Sequence, residues 1–240
     1  MSNALLRRFG IVALVFVGLN GCTRSADPSD FFPLQPGHEW TYRVDVKGAP
    51  TPPAGLPLHE VRTLKPIKVQ GVPGRVYRRF DVLGNEYHFT RSDASIERIA
   101  LRNATELEAQ RDVPARQVLP LPPTLGSTWQ LSTHPYALRR TVPLGADLSV
   151  QFSISLTMII EATDDIITTP AGRFENCVRV VGEGSLELYG DARQGFITVP
   201  ITQTEWYAPG VGLVKLLREE PLEADLFEGG SIQYELVDYR

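Results

Sequence analysis

The sequence predicts an all-β, mainly antiparallel protein. Its architecture is a curved open sheet, half-barrel or sandwich, with a signal helix at the N-terminus and at most one or two short helices elsewhere. Three observations predict it: apolar and polar residues alternate over long stretches, turn chemistry recurs at hairpin spacing, and no long 3.6-residue period follows the first 21 residues. The clearest alternation runs Leu148, Val150, Phe152, Ile154, Leu156, Met158 and Ile160, with mostly hydroxyl and amide side chains between. Such spacing buries one face of a strand, and strands buried on both faces lose it, so the pairing is expected to be antiparallel. These thirteen residues span roughly 43 Å at 3.3 Å each, long enough to require a curved or twisted sheet.

The folded part is expected to begin at Phe31-Phe32-Pro33-Leu34. Trp40, Tyr42, Val44 and Val46 share one face of the first strand. Strands follow at Leu64 to Val69, Arg75 to Leu83, Glu86 to Thr90 and Ser95 to Ala100, then at Gly126 to Ser132. After the long strand come Asn176 to Val181, Ser185 to Tyr189, Phe196 to Trp206, Gly212 to Arg218 and Ser231 to Tyr239, about ten to twelve strands in all. Pro170-Ala171-Gly172 has the chemistry of a type I turn, and Ala208-Pro209-Gly210-Val211 that of a type II turn with Gly210 at positive φ. Gly48 to Pro57 and Val113 to Pro123 are proline-rich and read as irregular surface loops. Arg102 to Arg116 is polar and predicts one short helix, with Asn103 as cap and Glu106 three residues on. Asp164-Asp165 is expected to cap a turn or meet solvent beyond the long strand. No repeat is present and the only candidate boundary lies near residues 110–125, so residues 31–240 are read as a single β domain.

The N-terminus carries the strongest functional signal. Arg7 and Arg8 precede an eleven-residue apolar run, Phe9 to Leu19, and no acidic residue appears before Asp27. That is the layout of a secretory signal peptide, and the run is too short to span a bilayer as a helix. The run ends in Leu19-Asn20-Gly21-Cys22, which resembles a bacterial lipobox and makes Cys22 the expected lipidation site. Residues 1–21 are then the signal peptide, and 22–30, rich in Ser, Asp and Pro, a flexible lipidated tether. Cleavage removes two of 24 basic residues against 28 acidic ones and takes the formal charge from −4 to −6. An acidic chain without Lys/Arg runs is a poor ligand for nucleic acid, and its attraction to anionic headgroups is weak, so acyl chains must anchor it. With Cys22 acylated, Cys177 has no partner for a disulfide and reads as a packed, inert thiol in a strand.

The sequence shows no catalytic or metal-binding set. His38, His59, His88 and His134 fall in no His-x-x-x-His or His-Glu-x-x-His spacing, and neither a Gly-x-Ser-x-Gly elbow nor a phosphate loop occurs. His88 lies between Tyr87 and Phe89 and faces away from them, and His134 precedes Pro135 in a loop. Catalytic residues, metal ligands and cofactors are therefore all expected to be none. The aromatics Trp40, Trp129, Trp206, Tyr42, Tyr87, Phe89, Phe152 and Tyr207 either fill a core or line a concavity for an apolar ligand.

Three segments carry a family resemblance. They are Phe32-Pro33-Leu34 to Gly37-x-x-Trp40-x-Tyr42, then Thr168-Thr169-Pro170-Ala171-Gly172-x-Phe174-x-x-Cys177, then Trp206-Tyr207-Ala208-Pro209-Gly210-Val211-Gly212-Leu213-Val214-Lys215. Together they resemble uncharacterised bacterial envelope lipoproteins, some of which are likened to the curved sheet of the lipoprotein carrier and acceptor proteins. The resemblance implies fold more than activity and attaches no catalytic set. Thr23 after the cysteine resembles lipoproteins sent onward to the outer membrane, which implies its periplasmic face, or the cell membrane in a single-membrane organism. The leading expectation is a non-enzymatic envelope lipoprotein binding an apolar molecule or envelope partner. A structural or assembly subunit without ligand is the alternative, and a hydrolase using His88 or His134 with a serine comes third. A filled interior favours the second, and an open apolar groove of several hundred Å³ the first.

Overall fold

The alternating segments assemble into one sheet. The computed structural model describes residues 29–48, 58–141, 152–190 and 192–240, so the signal peptide, Cys22, most of the 48–57 loop and the first residues of the long strand lie outside the described residues. In chain order the strands are β1 (Glu39–Lys47), β2 (Leu58–Ile67), β3 (Val76–Asp81), β4 (Glu86–Arg91), β5 (Ser95–Arg102), β6 (Gln110–Pro120), β7 (Thr128–Thr133), β8 (Arg139–Arg140), β9 (Ile154–Thr169), β10 (Gly172–Tyr189), β11 (Phe196–Ala208), β12 (Gly212–Glu223) and β13 (Phe227–Tyr239). All pair antiparallel, in the order β6-β5-β4-β3-β2-β1-β13-β12-β11-β10-β9-β7, with β8 on β13. The two ends of this order meet, where Arg116 of β6 donates through Nη1 to the Ser132 carbonyl of β7 at 3.0 Å. The sheet is thus a nearly closed barrel, the curved all-β class predicted, with a seam bridged by a side chain instead of a ladder.

Alternation fixes what points inward. Ile154, Leu156, Met158 and Ile160 of β9 are all buried and join Val178, Val180, Leu186 and Leu188 of β10 and Val199 and Ile201 of β11 in the main core. Each such side chain contributes about 1.5–3 kcal/mol by leaving water. Trp129, Phe89 and Tyr207 lie in the same core, and Trp40 and Tyr42 in a second cluster with Cys177, Ala208, Val211, Val214 and Leu236.

Four expectations are corrected. Residues 102–116 hold no helix: Glu106 Oε2 accepts the Asn103 N–H and the Glu106 N–H donates to the Asn103 carbonyl, both at 3.0 Å, but this box closes one turn and β6 then begins. Pro114 would break a helix there, whereas β6 lies at an end of the strand order and tolerates it. For the same reason much of Val113 to Pro123 is strand, not loop. Asp164-Asp165 does not end the long strand, because β9 runs through it to Thr169, with irregular register against β10. The two segments 176–181 and 185–189 are one strand, since Gly182 and Gly184 give room to Met158 and Leu156 on β9, not a break.

The predicted type II turn is observed. Gly210 has φ 73°, and the Val211 N–H bonds the Ala208 carbonyl at 3.2 Å. The Gly210 N–H also bonds the Asp30 carbonyl at 2.9 Å. Asp30, placed at the end of the tether by composition, is buried and pairs with Arg91 at 2.9 Å, so this residue before Phe31 already belongs to the packed fold.

Candidate functional site

A fixed network of charged groups inside the barrel is the principal candidate site. On β11, Gln203, Glu205 and Tyr207 share the inward face, and on β12 Arg218 and Glu220 do the same, all five buried. The Tyr207 hydroxyl and Gln203 Nε2 each donate to Glu205 at 2.7 Å. Arg218 donates through Nη1 to Gln203 Oε1 at 2.9 Å, through Nε to Glu220 at 2.6 Å, and through Nη2 to the His134 carbonyl at 2.9 Å. The Glu220 carboxylate also accepts the backbone N–H groups of Tyr136, Ala137 and Leu138 at 2.8–3.0 Å. The segment 134–138 after β7 is thereby strapped to the inner wall, with the Tyr136 ring 4.2 Å from the Arg218 guanidinium carbon. Arg218 and Glu220 compensate each other, and every carboxylate lone-pair direction in use meets a donor, which a buried pair requires. Burial pushes the Glu205 carboxyl above its ordinary value, against the pull of Tyr207, Gln203 and Arg218.

A second buried cation secures the N-terminal entrance. The Arg79 guanidinium carbon lies 3.8 Å from the Phe32 ring centre and 4.5 Å from that of Trp40, and Nη2 donates to the Pro33 carbonyl at 2.8 Å. Desolvation draws its pKa down to about 10. Trp40 Nε1 donates to the Val211 carbonyl at 2.7 Å and the Tyr42 hydroxyl to the Leu213 carbonyl at 2.9 Å. The three segments that carry the family resemblance therefore converge. The first and third bond one another, and Cys177 from the second packs between them, with the Ala171 N–H on the Leu236 carbonyl at 3.0 Å. Burial, with Asp165 nearby, pushes the Cys177 thiol up to about 11, which favours the protonated form at neutral pH.

The histidines are distributed, not gathered. His88 contacts Glu86 at 3.0 Å, and that carboxylate also accepts Arg78 and Arg102 at 3.1 Å each. Burial raises the Glu86 carboxyl, but hydrogen bonds from His88, Arg102 and Arg78 hold it below its ordinary value. His134 Nδ1 contacts the Phe152 carbonyl at 3.0 Å, so neither candidate histidine is joined to a serine or threonine hydroxyl among the described residues. His59 lies 3.9 Å from Asp81, which accepts the Tyr87 hydroxyl at 3.0 Å, and burial lowers the His59 pKa. No group of three His, Cys, Asp or Glu side chains is placed to hold a metal among the described residues.

Sequence reasoning missed Arg79, Gln203, Glu205, Arg218 and Glu220. The available signal was the spacing Gln203-x-Glu205-x-Tyr207 and Arg218-x-Glu220, which puts polar groups on the inward face of strands whose neighbours are apolar. That the two sets meet depends on the β11–β12 register, which one strand does not show.

Two solved structures are similar in outline. A provisionally assigned lipoprotein of Parabacteroides distasonis is 14% identical with a TM-score of 0.37, and covers 88% of this chain with 98% of its own. An exported protein of Bacteroides fragilis with a YmcC-like fold, also provisionally assigned, is 15% identical with a TM-score of 0.40 and the same coverages. No family model and no curated protein matches the chain.

Proposed function

We propose that this protein is a lipid-anchored, non-enzymatic subunit of an envelope assembly, held by acylated Cys22 on the periplasmic face of the outer membrane. The observation that carries the reading is the filled interior. The space a carrier would leave for an apolar ligand is occupied by the main core, by Phe32 and Leu34 of the N-terminal segment, and by the strap 134–138 clamped on Glu220. The concavities among the described residues open at the surface, and one of about 750 Å³ is lined by Lys47, Pro200, Thr202, Glu219, Leu222 and Glu223 among others. Another of about 550 Å³ is lined by Glu39, Glu60, Arg62, Asp81, Asp238 and Arg240 among others. The signal-peptide layout and Cys22 support the anchor, and the scattered histidines support a role without bond-making.

Native mass spectrometry of the protein extracted from membranes tests the reading. Co-purification with another envelope protein, or with a second copy, and with no lipid beyond the acyl chains on Cys22 is expected. A stoichiometric apolar ligand would overturn it in favour of a carrier. Cys22→Ala is expected to move the protein from the membrane to the soluble fraction, and unchanged fractionation would remove the anchor.

A further inference from the structure

Charge is distributed unevenly around the barrel. Between Leu58 and Pro120, which build β2 to β6, eleven Lys and Arg stand against eight Asp and Glu, a balance of +3; between Ile154 and Arg240, which build β9 to β13, six stand against fifteen, a balance of −9. Much of the surplus is on the surface. Arg62, Lys65, Lys68, Arg75 and Arg111 are exposed on and beside the β2–β3 hairpin. Arg111 reaches the Gln70 carbonyl at 3.5 Å and Arg78 grips the Lys65 carbonyl at 3.1 Å, so these cations form one patch. The adjacent carboxylate, Glu86, is already shared by Arg78 and Arg102. On the other wall Glu183, Glu187, Glu219 and Glu223 are exposed. Glu183 pairs with Thr202 and Thr202 with Glu219, which sets two carboxylates in one row about 10 Å apart, two strand spacings. Among the described residues the side chains of Lys65, Lys68, Arg75 and these four glutamates make no ion pair or hydrogen bond.

The anchor keeps the barrel close to the membrane. Asp30 sits at the end of the barrel that carries the β11–β12 turn, and it is eight residues from Cys22, a reach of roughly 26–29 Å fully extended. Copies anchored in this way share one membrane plane, where the side wall of one meets that of the next. The basic wall and the acidic wall are separated by β1 and β13, so they are different surfaces of one molecule.

We infer that copies of this protein associate side by side on the membrane, the basic β2–β3 wall of one against the acidic β10–β12 wall of the next. The inference rests on the assembly reading above and names the partner. A heterologous contact of this kind builds a ring or an open row. Exposed ion pairs are individually weak and screened by salt, so association depends on several pairs acting together and on confinement to the bilayer.

Förster transfer between donor- and acceptor-labelled copies of the lipidated full chain in liposomes tests this. Transfer is expected at low salt, falling on the order of tenfold between about 0.01 M and 1 M, where the Debye length shrinks from roughly 30 Å to 3 Å. The triple variant Lys65→Glu, Lys68→Glu, Arg75→Glu should lose transfer with itself, as should Glu183→Lys, Glu187→Lys, Glu219→Lys. An equal mixture of the two should regain it, because one then carries two acidic walls and the other two basic ones. Wild-type levels of transfer in either triple variant alone, or no transfer from wild type at low salt, would overturn the inference. If wild type shows none but native mass spectrometry finds a different envelope protein bound, the self-association fails and the assembly reading stands.

Discussion

Removing the Glu220 carboxylate leaves three backbone N–H groups and the Arg218 guanidinium inside the barrel without their acceptor. An unpaired buried charge is far costlier than a missing surface pair, so Glu220→Ala should lose about 3–5 kcal/mol of stability in chemical denaturation. Glu220→Gln keeps one acceptor oxygen and should lose less. Glu205 makes an opposite kind of prediction. Burial raises its carboxyl above 4.5, so the folded state holds that proton more tightly than the unfolded state does. Its contribution is then full below about pH 4.5 and declines as pH rises through the folded value. Glu86 and Glu235 are both lowered, so the stability they contribute is present above about pH 4.5 and is lost on acidification. Glu205→Gln is uncharged at every pH, and its amide serves Tyr207 while its carbonyl serves Gln203. It should therefore unfold at a higher temperature than wild type at pH 7, with the difference vanishing near pH 4.5. A variant less stable than wild type at pH 7 would show that the charged form is the better fit.

At the scale of the strand, the sequence was informative wherever one face is buried and the other wet. The alternation at Ile154 to Ile160 and the Ala208 to Val211 turn survive unchanged, because each is decided by side-chain periodicity or by one φ angle. What was illegible is what a neighbouring strand decides. Gly182 and Gly184 read as punctuation until β9 is placed beside them, when a Cβ at Gly182 would meet the Met158 sulfur and one at Gly184 the Ser155 carbonyl and the Leu156 side chain. Residues 102–116 carry a helix start, and the pairing of β6 with β5 overrides it. The Gly182 reading has a direct check. Gly182→Ala should cost about 1–3 kcal/mol by overpacking. Met158→Ala alone should cost about 2–5 kcal/mol by leaving a cavity. The double variant should be more stable than the sum of the two costs implies, since the new methyl enters the space the thioether vacates. Additive costs would mean that Gly182 is required for some other reason.

Across the whole molecule, the weakest joint is the seam between β6 and β7. Every other neighbouring pair of strands in the sheet order shares a backbone ladder, whereas this one is spanned by Arg116 Nη1 on the Ser132 carbonyl. Arg116 is not free to swing, because its Nε meets Asp112 at 2.8 Å and Arg98 grips the same carboxylate at 2.8 and 3.0 Å. The polar link across the seam is thus a three-residue charge cluster that fixes one arginine, and not the cooperative ladder that holds the remaining wall. Beneath the seam, Leu119 from β6 and Trp129 from β7 belong to the same core, so packing keeps the two strands close even if the bridge is lost. Local opening should therefore be separable from global unfolding. Arg116→Ala is expected to accelerate amide hydrogen exchange in β6 and β7 while leaving β10 to β13 at wild-type protection. Its effect on global stability should be small, on the order of 1 kcal/mol, the contribution of one solvent-exposed hydrogen bond. Uniform acceleration through all strands would show instead that the seam is part of the cooperative unit, and that barrel closure, not the β9–β13 wall, governs unfolding.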